Sequence, residues 1–397
     1  MPTRYDVCMA VVSDLAFDAR VWKEARSVAG SGRSVLLIGC AYEIDRTRER
    51  SVDGIDVVEV PLGSRTGSVS PLKRAATLLG LWLRVLRAKA DAYHSHNVHP
   101  GLPMLLASRL RRAGLVYDAH ELYGEGFRPE RIARLVARGS AALERLMVGA
   151  ADAVITTNPS RAKVLNERYG RDDVVVLGNV PMRVDDVEPL DPGYPAERRT
   201  LLYQGGIYAH SRAFREAIQA LHELDDVDLI VLGFGREGDL ELIREWAREE
   251  GLADRVHLLP PRPFDELVRT AAAATVGLVP IRADNVSNSL GDTNKLYEYL
   301  MAGLPMAASD LPEIRRVATA GDPPVGEVFD PASPQSLATA VRRILDDPAG
   351  YEARRREARR LALEQFNWQE EERKLLAIYS PLVPLDDGSP SSASRSR

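Results

Sequence analysis

Short apolar runs alternate with amphipathic stretches along almost the whole chain. In the first half, YDVCMAVVS, SVLLIGC, IDVVEV, AYHSH and GLVYDAH have the length and composition of buried strands. Helical periodicity lies between them, as over residues 19–31, which end near Gly32. The second half repeats the pattern, with TLLYQGG, VDLIVLGFG, RVHLLP, VGLVP and PMAASD as strands and helical stretches such as 214–224 and 239–251 between them. Strands alternating with helices predict parallel sheets with right-handed crossovers. The fold class read from this pattern is α/β, with two doubly wound, Rossmann-like domains over residues 1–180 and 199–365. The stretch between them, 181–198, holds Pro181, Pro189, Pro192, Gly193 and Pro195 and reads as a linker. The last helical pattern runs over 349–379. A C-terminal helix over residues 366–383 is expected to pack back toward the N-terminal domain. Residues 384–397 are polar and Ser-rich and read as a disordered tail. Two such domains are expected to face a central cleft, with ligands outside the carboxyl ends of the strands.

Composition narrows the partners. A net charge of −5 argues against bulk nucleic-acid binding. The charge is uneven, however: residues 65–145 hold 14 Lys and Arg against 6 Asp and Glu. Such a basic stretch suits an anionic partner or a membrane surface. Within 127–147, Arg131, Arg134, Arg138 and Arg145 fall on one helical face, either solvated or in contact with anionic lipid or an acceptor phosphate. The two cysteines, Cys8 and Cys40, sit in apolar runs that read as buried strands; two are too few for a disulfide framework, and a reducing compartment fits. No apolar run is long enough for a membrane span, and the opening residues lack the pattern of a signal peptide. A cytoplasmic protein is expected, with peripheral membrane contact at the inner face as an option.

The stretch DTNKLYEYLMAGLPMAASDLPE, residues 292–313, carries the clearest candidate chemistry. Asp292 or Thr293 can cap a helix, Gly303 suits the left-handed residue after its end, and Pro305 stops continuation. A helix opening at Asn294 leaves free amides, with Lys295 and Leu296 in its first turn, and such amides bind phosphate. Glu298, one turn on, can accept hydrogen bonds from a ribose diol. An ordinary capped helix with Lys295 and Glu298 on its wet face is the plainer reading. Two further glycine pairs support the anion site. Gly205 and Gly206 follow one strand and precede Arg212, and Gly233 and Gly235 follow another.

On NKLYEYLMAGLPMAASDLPE and GFGREGDLELIREWAREEGLADRVHLLPPRPFDEL, the chain resembles glycosyltransferase family 4, which has the GT-B fold, over residues 5–379. The resemblance implies retaining transfer from a nucleotide diphosphate sugar, without a metal or other cofactor, to an acceptor that the sequence leaves open. Uridine diphosphate sugars are favoured as donors, with guanosine diphosphate mannose second. The resemblance also implies that Glu298 binds the ribose, that the amides near Lys295 and Leu296 hold the diphosphate, and that Pro261 and Arg262 flank the base. Two departures stand out. Leu290 occupies the place of a Glu that usually touches sugar hydroxyls, with Asp292 as a substitute. The Arg and Lys that usually clamp the diphosphate after the first glycine turn are replaced by Gly206 and by His210 or Ser211, leaving Arg212 as the nearest cation.

In the first half, VYDAHELYGE brings Asp118, His120 and Glu121 together at a strand end. A His beside a carboxylate can be a structural pair. The resemblance places His120 near the transferred sugar, with Asp118 to orient it. Asp18 and Arg20 match the family's loop after the first strand, which reaches the diphosphate or the acceptor. A charged helix start is the equal alternative. His94, His96 and His99 invite a zinc reading, but no Cys or carboxylate is expected to complete a site nearby. The resemblance implies a cleft-lining loop instead. Asp226 and Asp228 begin a strand and read as solvated loop carboxylates. Two rival functions stay open at this point: a GT-B epimerase or phosphorylase, and a non-catalytic nucleotide-sugar-binding module.

Overall fold

The computed structural model describes residues 4–63, 70–123, 131–191, 193 and 198–385, with the side chains of 131–135 left aside. Pro192, Pro195 and the tail from 386 onward therefore lie outside the described residues, as do residues 127–130 of the basic stretch. The chain forms two compact units. The first comprises Met1–Thr156, Val164–Leu177 and Glu372–Arg397, the second Thr157–Lys163 and Gly178–Glu371.

The first unit's strands are β1 (Tyr5–Asp14), β2 (Val35–Tyr42), β3 (Arg48–Val52), β4 (Ile55–Gly63), β5 (Ala90–His96), β6 (Gly114–Ala119), β7 (Ala153–Thr156) and β8 (Val175–Val176). Their order in the sheet is β3-β4-β2-β1-β5-β6-β7-β8. Every neighbouring pair is parallel except the edge hairpin β3–β4. Its helices are α1 (Ala19–Gly30), α2 (Pro71–Arg87), α3 (Gly101–Arg111) and α4 (Arg131–Ala150). The next helix, α5 (Pro159–Tyr169), is divided between the units. From β1 the chain works outward to β4, then returns to β5 and works the other way. The switch point, where ligands collect in such sheets, lies between β1 and β5.

The second unit's strands are β9 (Arg199–Ile207), β10 (Val227–Gly235), β11 (Val256–Leu259), β12 (Val276–Val279), β13 (Met306–Ser309) and β14 (Gly326–Phe329). They form one parallel sheet in the order β11-β10-β9-β12-β13-β14, with the switch point between β9 and β12. Around it stand α6 (Phe214–Ala220), α7 (Glu237–Glu249), α8 (Leu267–Ala272), α9 (Val286–Ser289), α10 (Asn294–Ala302), α11 (Pro312–Ala318), α12 (Pro334–Leu345) and α13 (Pro348–Glu364). Alternation along the strands builds a core on each face. Leu201, Tyr203, Leu229 and Val231 enter one, and Leu202, Ile230 and Leu232 the other.

The single helical pattern read over 349–379 is two helices, α13 and α14 (Trp368–Leu382). Asn367 ends the first and begins the second: its Nδ2 donates to the carbonyls of Ala362 and Leu363, and its Oδ1 accepts from the Glu370 amide. From Glu372 onward α14 belongs to the first unit, where Leu375 and Tyr379 are fully buried.

Candidate active site

In the second unit the described geometry gathers at the switch point. Gly205 and Gly206 are the last residues but one of β9, inside the strand rather than after it, and Gly233 and Gly235 likewise close β10. Gly233 pairs with Gly205, and a Cβ on Gly233 would fall 1.8 Å from the Gly205 carbonyl oxygen. Gly233 therefore serves the close approach of the two strand ends, and Gly205, at φ +126°, takes a backbone conformation that L side chains rarely adopt.

Helix α10 is apolar on nearly every side. Leu296, Tyr297, Tyr299, Leu300, Met301 and Ala302 are all buried. Lys295 goes in with them, only 5% exposed, so the wet-face alternative fails for this residue. Its Nζ donates to Thr293 Oγ1 at 2.9 Å, lies 4.8 Å from the centre of the Tyr203 ring, and sits within van der Waals reach of the position a Gly205 Cβ would take. Burial first, then the charge of Arg212, lowers the Lys295 ammonium to about pKa 7, with Glu298 pulling the other way. Arg212 stacks over Tyr208 at 5.4 Å, and its buried Nε has no hydrogen-bond partner. Among the described residues, neither Lys295 nor Arg212 is part of an ion pair. Glu298 accepts from Gln204 Nε2 and stays half-exposed.

Thr293, not Asp292, is the residue before α10, and its side chain makes no capping bond. Asp292, the substitute for the carboxylate missing at Leu290, has both oxygens engaged. Its Oδ1 accepts from Asn158 Nδ2 at 2.9 Å and its Oδ2 from the Tyr297 hydroxyl at 2.7 Å. Gly303 ends the helix at φ 65°, the left-handed conformation expected of it. Asn294 is exposed at the helix start, and Pro261 and Arg262 lie in the loop after β11. Asp228 is a correction. It is buried, not solvated, held by Arg198 at 2.8 Å with His257 at 3.3 Å, whereas Asp226 pairs with Arg199 and Arg342 near the surface.

The first unit places a denser cluster at its own switch point. Asp118, at the end of β6, is fully buried. Arg20 grips it with two bonds, Nε to Oδ2 and Nη2 to Oδ1, each 3.0 Å, and donates Nη1 to the Leu177 carbonyl at 2.8 Å. His120 Nε2 stands 2.7 Å from Asp118 Oδ2, and Asn97 Oδ1 accepts from the His120 amide. His96 Nδ1 approaches the same carboxylate oxygen at 3.3 Å. Burial raises the Asp118 carboxyl, but Arg20 and His120 outweigh it and hold the group well below its usual range. Arg20 is buried against Asp118 rather than reaching out of the loop. Asp18 caps α1 and accepts from Ser13 Oγ at 2.6 Å.

The histidines divide. His94 and His96 are buried on β5 with rings stacked at 4.2 Å, whereas His99 is exposed and packs edge-on to Tyr123. Glu24, His96, Asp118 and His120 bring candidate ligand atoms within 4.8 Å of one another. Arg20 already occupies both oxygens of Asp118 and lies 2.9 Å from Glu24, so its guanidinium holds the place and the charge a cation would take. The donor set therefore does not fit a metal. Glu24, Tyr379 and Gln204 escaped sequence reasoning. For Glu24 a signal existed: it lies four residues after Arg20 on the same stripe as Val21, Ala25 and Val28.

Residues 18–180 match the family of the glycosyl transferase 4-like domain, and residues 198–347 that of glycosyl transferases group 1. The chain belongs to glycosyltransferase family 4. The D-inositol 3-phosphate glycosyltransferase 1 of Catenulispora acidiphila is 27% identical over 377 residues, covering 85% of this chain and 84% of that one. Among solved structures, sucrose-phosphate synthase from Thermosynechococcus elongatus superposes with a TM-score of 0.73 at 17% identity, covering 96% and 99% of the two chains. The Anabaena protein HepE in complex with UDP-glucose gives a TM-score of 0.66 at 14% identity, covering 95% and 100%. These neighbours are GT-B glycosyltransferases, and the two parallel-sheet units are that fold. As a glycosyltransferase the protein takes a nucleotide-sugar donor and passes the sugar to an acceptor.

Proposed function

We propose that this family 4 glycosyltransferase uses a UDP-sugar, transfers with retention of anomeric configuration and needs no metal ion. The observation that carries the reading is buried Lys295 beside the Gly205 backbone, with Arg212 near enough for its charge to act on Lys295 and no carboxylate in an ion pair with either among the described residues. A departing diphosphate brings the charge these two groups lack. The first amides of α10 add donors from a helix start, where anions are favoured. Holding the leaving group more tightly as its charge grows lowers the barrier without a Lewis acid.

We assign the ribose to Glu298, the base to Pro261 and Arg262, and the diphosphate to Lys295, Arg212 and the amides of Asn294, Lys295 and Leu296. His120, oriented by Asp118, is assigned the contact with the reacting sugar. Asp118 is engaged by Arg20 and His120 and so is poorly placed to act as a nucleophile. This favours a mechanism in which the leaving phosphate takes the proton from the acceptor. Uridine is favoured by the UDP-glucose bound to HepE.

A thermal-shift panel of nucleoside diphosphates and their sugars in chelator tests the donor assignments. UDP compounds are expected to stabilise most, and the shift to shrink in Lys295→Met. A shift that appears only with added Mg2+ would refute metal independence. The first-formed product, read by NMR, is expected to keep the anomeric configuration of the donor.

Peripheral contact with an anionic membrane, at the cytoplasmic face, is part of the same proposal. No described helix is long and apolar enough to cross a membrane. Leu72, Leu79 and Leu83 on α2, and Leu106 and Leu110 on α3, are nevertheless exposed, interleaved with Lys73, Arg74, Arg87 and Arg109. On the neighbouring α4, Val136, Arg138, Arg145 and Leu146 are exposed.

A further inference from the structure

Behind Asp118 a line of buried polar side chains runs through the first unit to the C-terminal helix. Arg20 Nε, 3.0 Å from Asp118 Oδ2, is also 2.9 Å from Glu24 Oε1. Glu24 Oε2 lies 3.6 Å from His94 Nε2, and His94 Nδ1 lies 2.6 Å from the Tyr379 hydroxyl. Glu24, His94 and Tyr379 are all completely buried. Glu24 Oε1 meets Arg20 only as an ion pair, and Glu24 Oε2 and His94 Nε2, sealed from water, have no hydrogen-bond partner. Orphans of this kind in a sealed interior are costly unless something is present that the heavy atoms do not show.

One proton removes most of the cost. With Glu24 ionised, two carboxylates share a single guanidinium away from water, an uncompensated buried charge. With Glu24 protonated, the guanidinium and Asp118 balance, and the new O–H can point toward His94 Nε2, 3.6 Å away, so that a small shift completes the bond. That tautomer leaves Nδ1–H to be donated to Tyr379. We propose that Glu24 is held protonated and acts as a positioning residue, leaving Arg20 to Asp118 alone so that Asp118 keeps His120 in place, with His94 and Tyr379 fixing the proton.

The surroundings agree. Burial, Asp118 and Asp18 raise the Glu24 carboxyl well above its ordinary value, and only Arg20 opposes them. His94 is held neutral by burial, with His96 beside it adding to the effect. Tyr379, on α14, is likewise kept neutral by burial. Ionisation of Glu24 at high pH would draw Arg20 away from Asp118 and loosen His120.

The role in turnover rests on His120 being the sugar-side group; the location of the proton does not. Infrared difference spectra of the full chain at neutral pH, Glu24→Gln against wild type, read the proton directly. A buried carboxylic-acid band present in the wild type and lost in the variant is expected, and its absence overturns the proposal. In donor turnover, Glu24→Ala is expected to lower kcat about tenfold with the donor KM unchanged, and Glu24→Gln to restore most of it. Tyr379→Phe frees His94 to turn its Nε2–H toward Glu24, favours the carboxylate, and is expected to move the alkaline limb of the pH profile down by about one unit. A folded Glu24→Gln that stays as impaired as Glu24→Ala, or a Tyr379→Phe profile that does not move, overturns the positioning role. His120→Ala is the separate control. Turnover that survives it removes His120 from the site, while the infrared band still decides the proton on Glu24.

Discussion

Lys295 is a lysine in a place that disfavours its own charge. Burial and Arg212 bring it to about pKa 7, against 10.5 for an ordinary lysine, while the diphosphate proposed for this site would push it back up. The sign follows from which state binds the proton. Between pH 7 and the higher pKa of the complex, the complex carries a proton the empty protein lacks, so donor affinity falls as pH rises through that window. Calorimetry of nucleoside diphosphate binding in buffers of different ionisation enthalpy is expected to show proton uptake near pH 8. Lys295→Met should abolish the uptake and weaken binding about 10- to 100-fold, the range for hydrogen bonds to a charged group. The empty protein should respond in the opposite direction. An unfolded lysine binds more protons than the folded one between pH 7 and 10.5, so the contribution of Lys295 to stability grows with pH across that window, and Met, with no charge to desolvate, is expected to raise the melting temperature at pH 7.

At the scale of elements, the helices α2 and α3 carry the test of membrane contact. A solvated helix face does not ordinarily show Leu72 at 84% and Leu110 at 77% exposure beside lysine and arginine. Vesicles containing anionic lipid are expected to co-sediment the protein at low salt, neutral vesicles far less, and Leu79→Asp with Leu110→Asp to reduce the binding. Equal binding to neutral vesicles would exclude the electrostatic part. Elements such as these were legible where their pattern was local. Continuous apolar runs marked the central strands of both sheets, and the glycine and proline after α10 marked its end. The edge strand β3, with its sequence RERSV, and the four-residue β14 carry too little hydrophobicity to stand out, since register with a neighbour makes them strands. The site divides the same way. Asp118 and His120 are two residues apart and were read together, and Lys295 and Glu298 share one helix. Glu24 and Tyr379 meet through His94 across 355 positions of chain, and nothing in either local sequence announces the other. Asp228 was misread because its partners, Arg198 and His257, come from outside its own strand.

For the whole molecule, neither unit is a continuous piece of sequence. The chain begins in the first unit, and its end returns there: Leu375 and Tyr379 are fully buried, and Val383 is 5% exposed. Arg33 ties the return by donating to the Val383 carbonyl at 3.0 Å, and Leu382 lies against Gly114 at the start of β6. The last helix thus closes the core beneath the Asp118 cluster, although in sequence it follows directly on the second unit. A chain ending at Glu371 should therefore be damaged far from the cut. Burying one large apolar side chain is worth about 1.5–3 kcal/mol, so a first unit deprived of three is expected to lose more than about 4 kcal/mol. A urea melt read from Trp22 and Trp82, both in the first unit, should move to much lower denaturant. Nucleoside diphosphate binding, which we assign to Lys295, Arg212 and Glu298, uses no residue beyond the cut and should persist at low denaturant. A truncated chain that kept its first-unit transition would mean that α14 contributes little to that core, and loss of nucleotide binding in a protein still folded around Lys295 would mean that the donor contacts extend beyond the second unit's own residues.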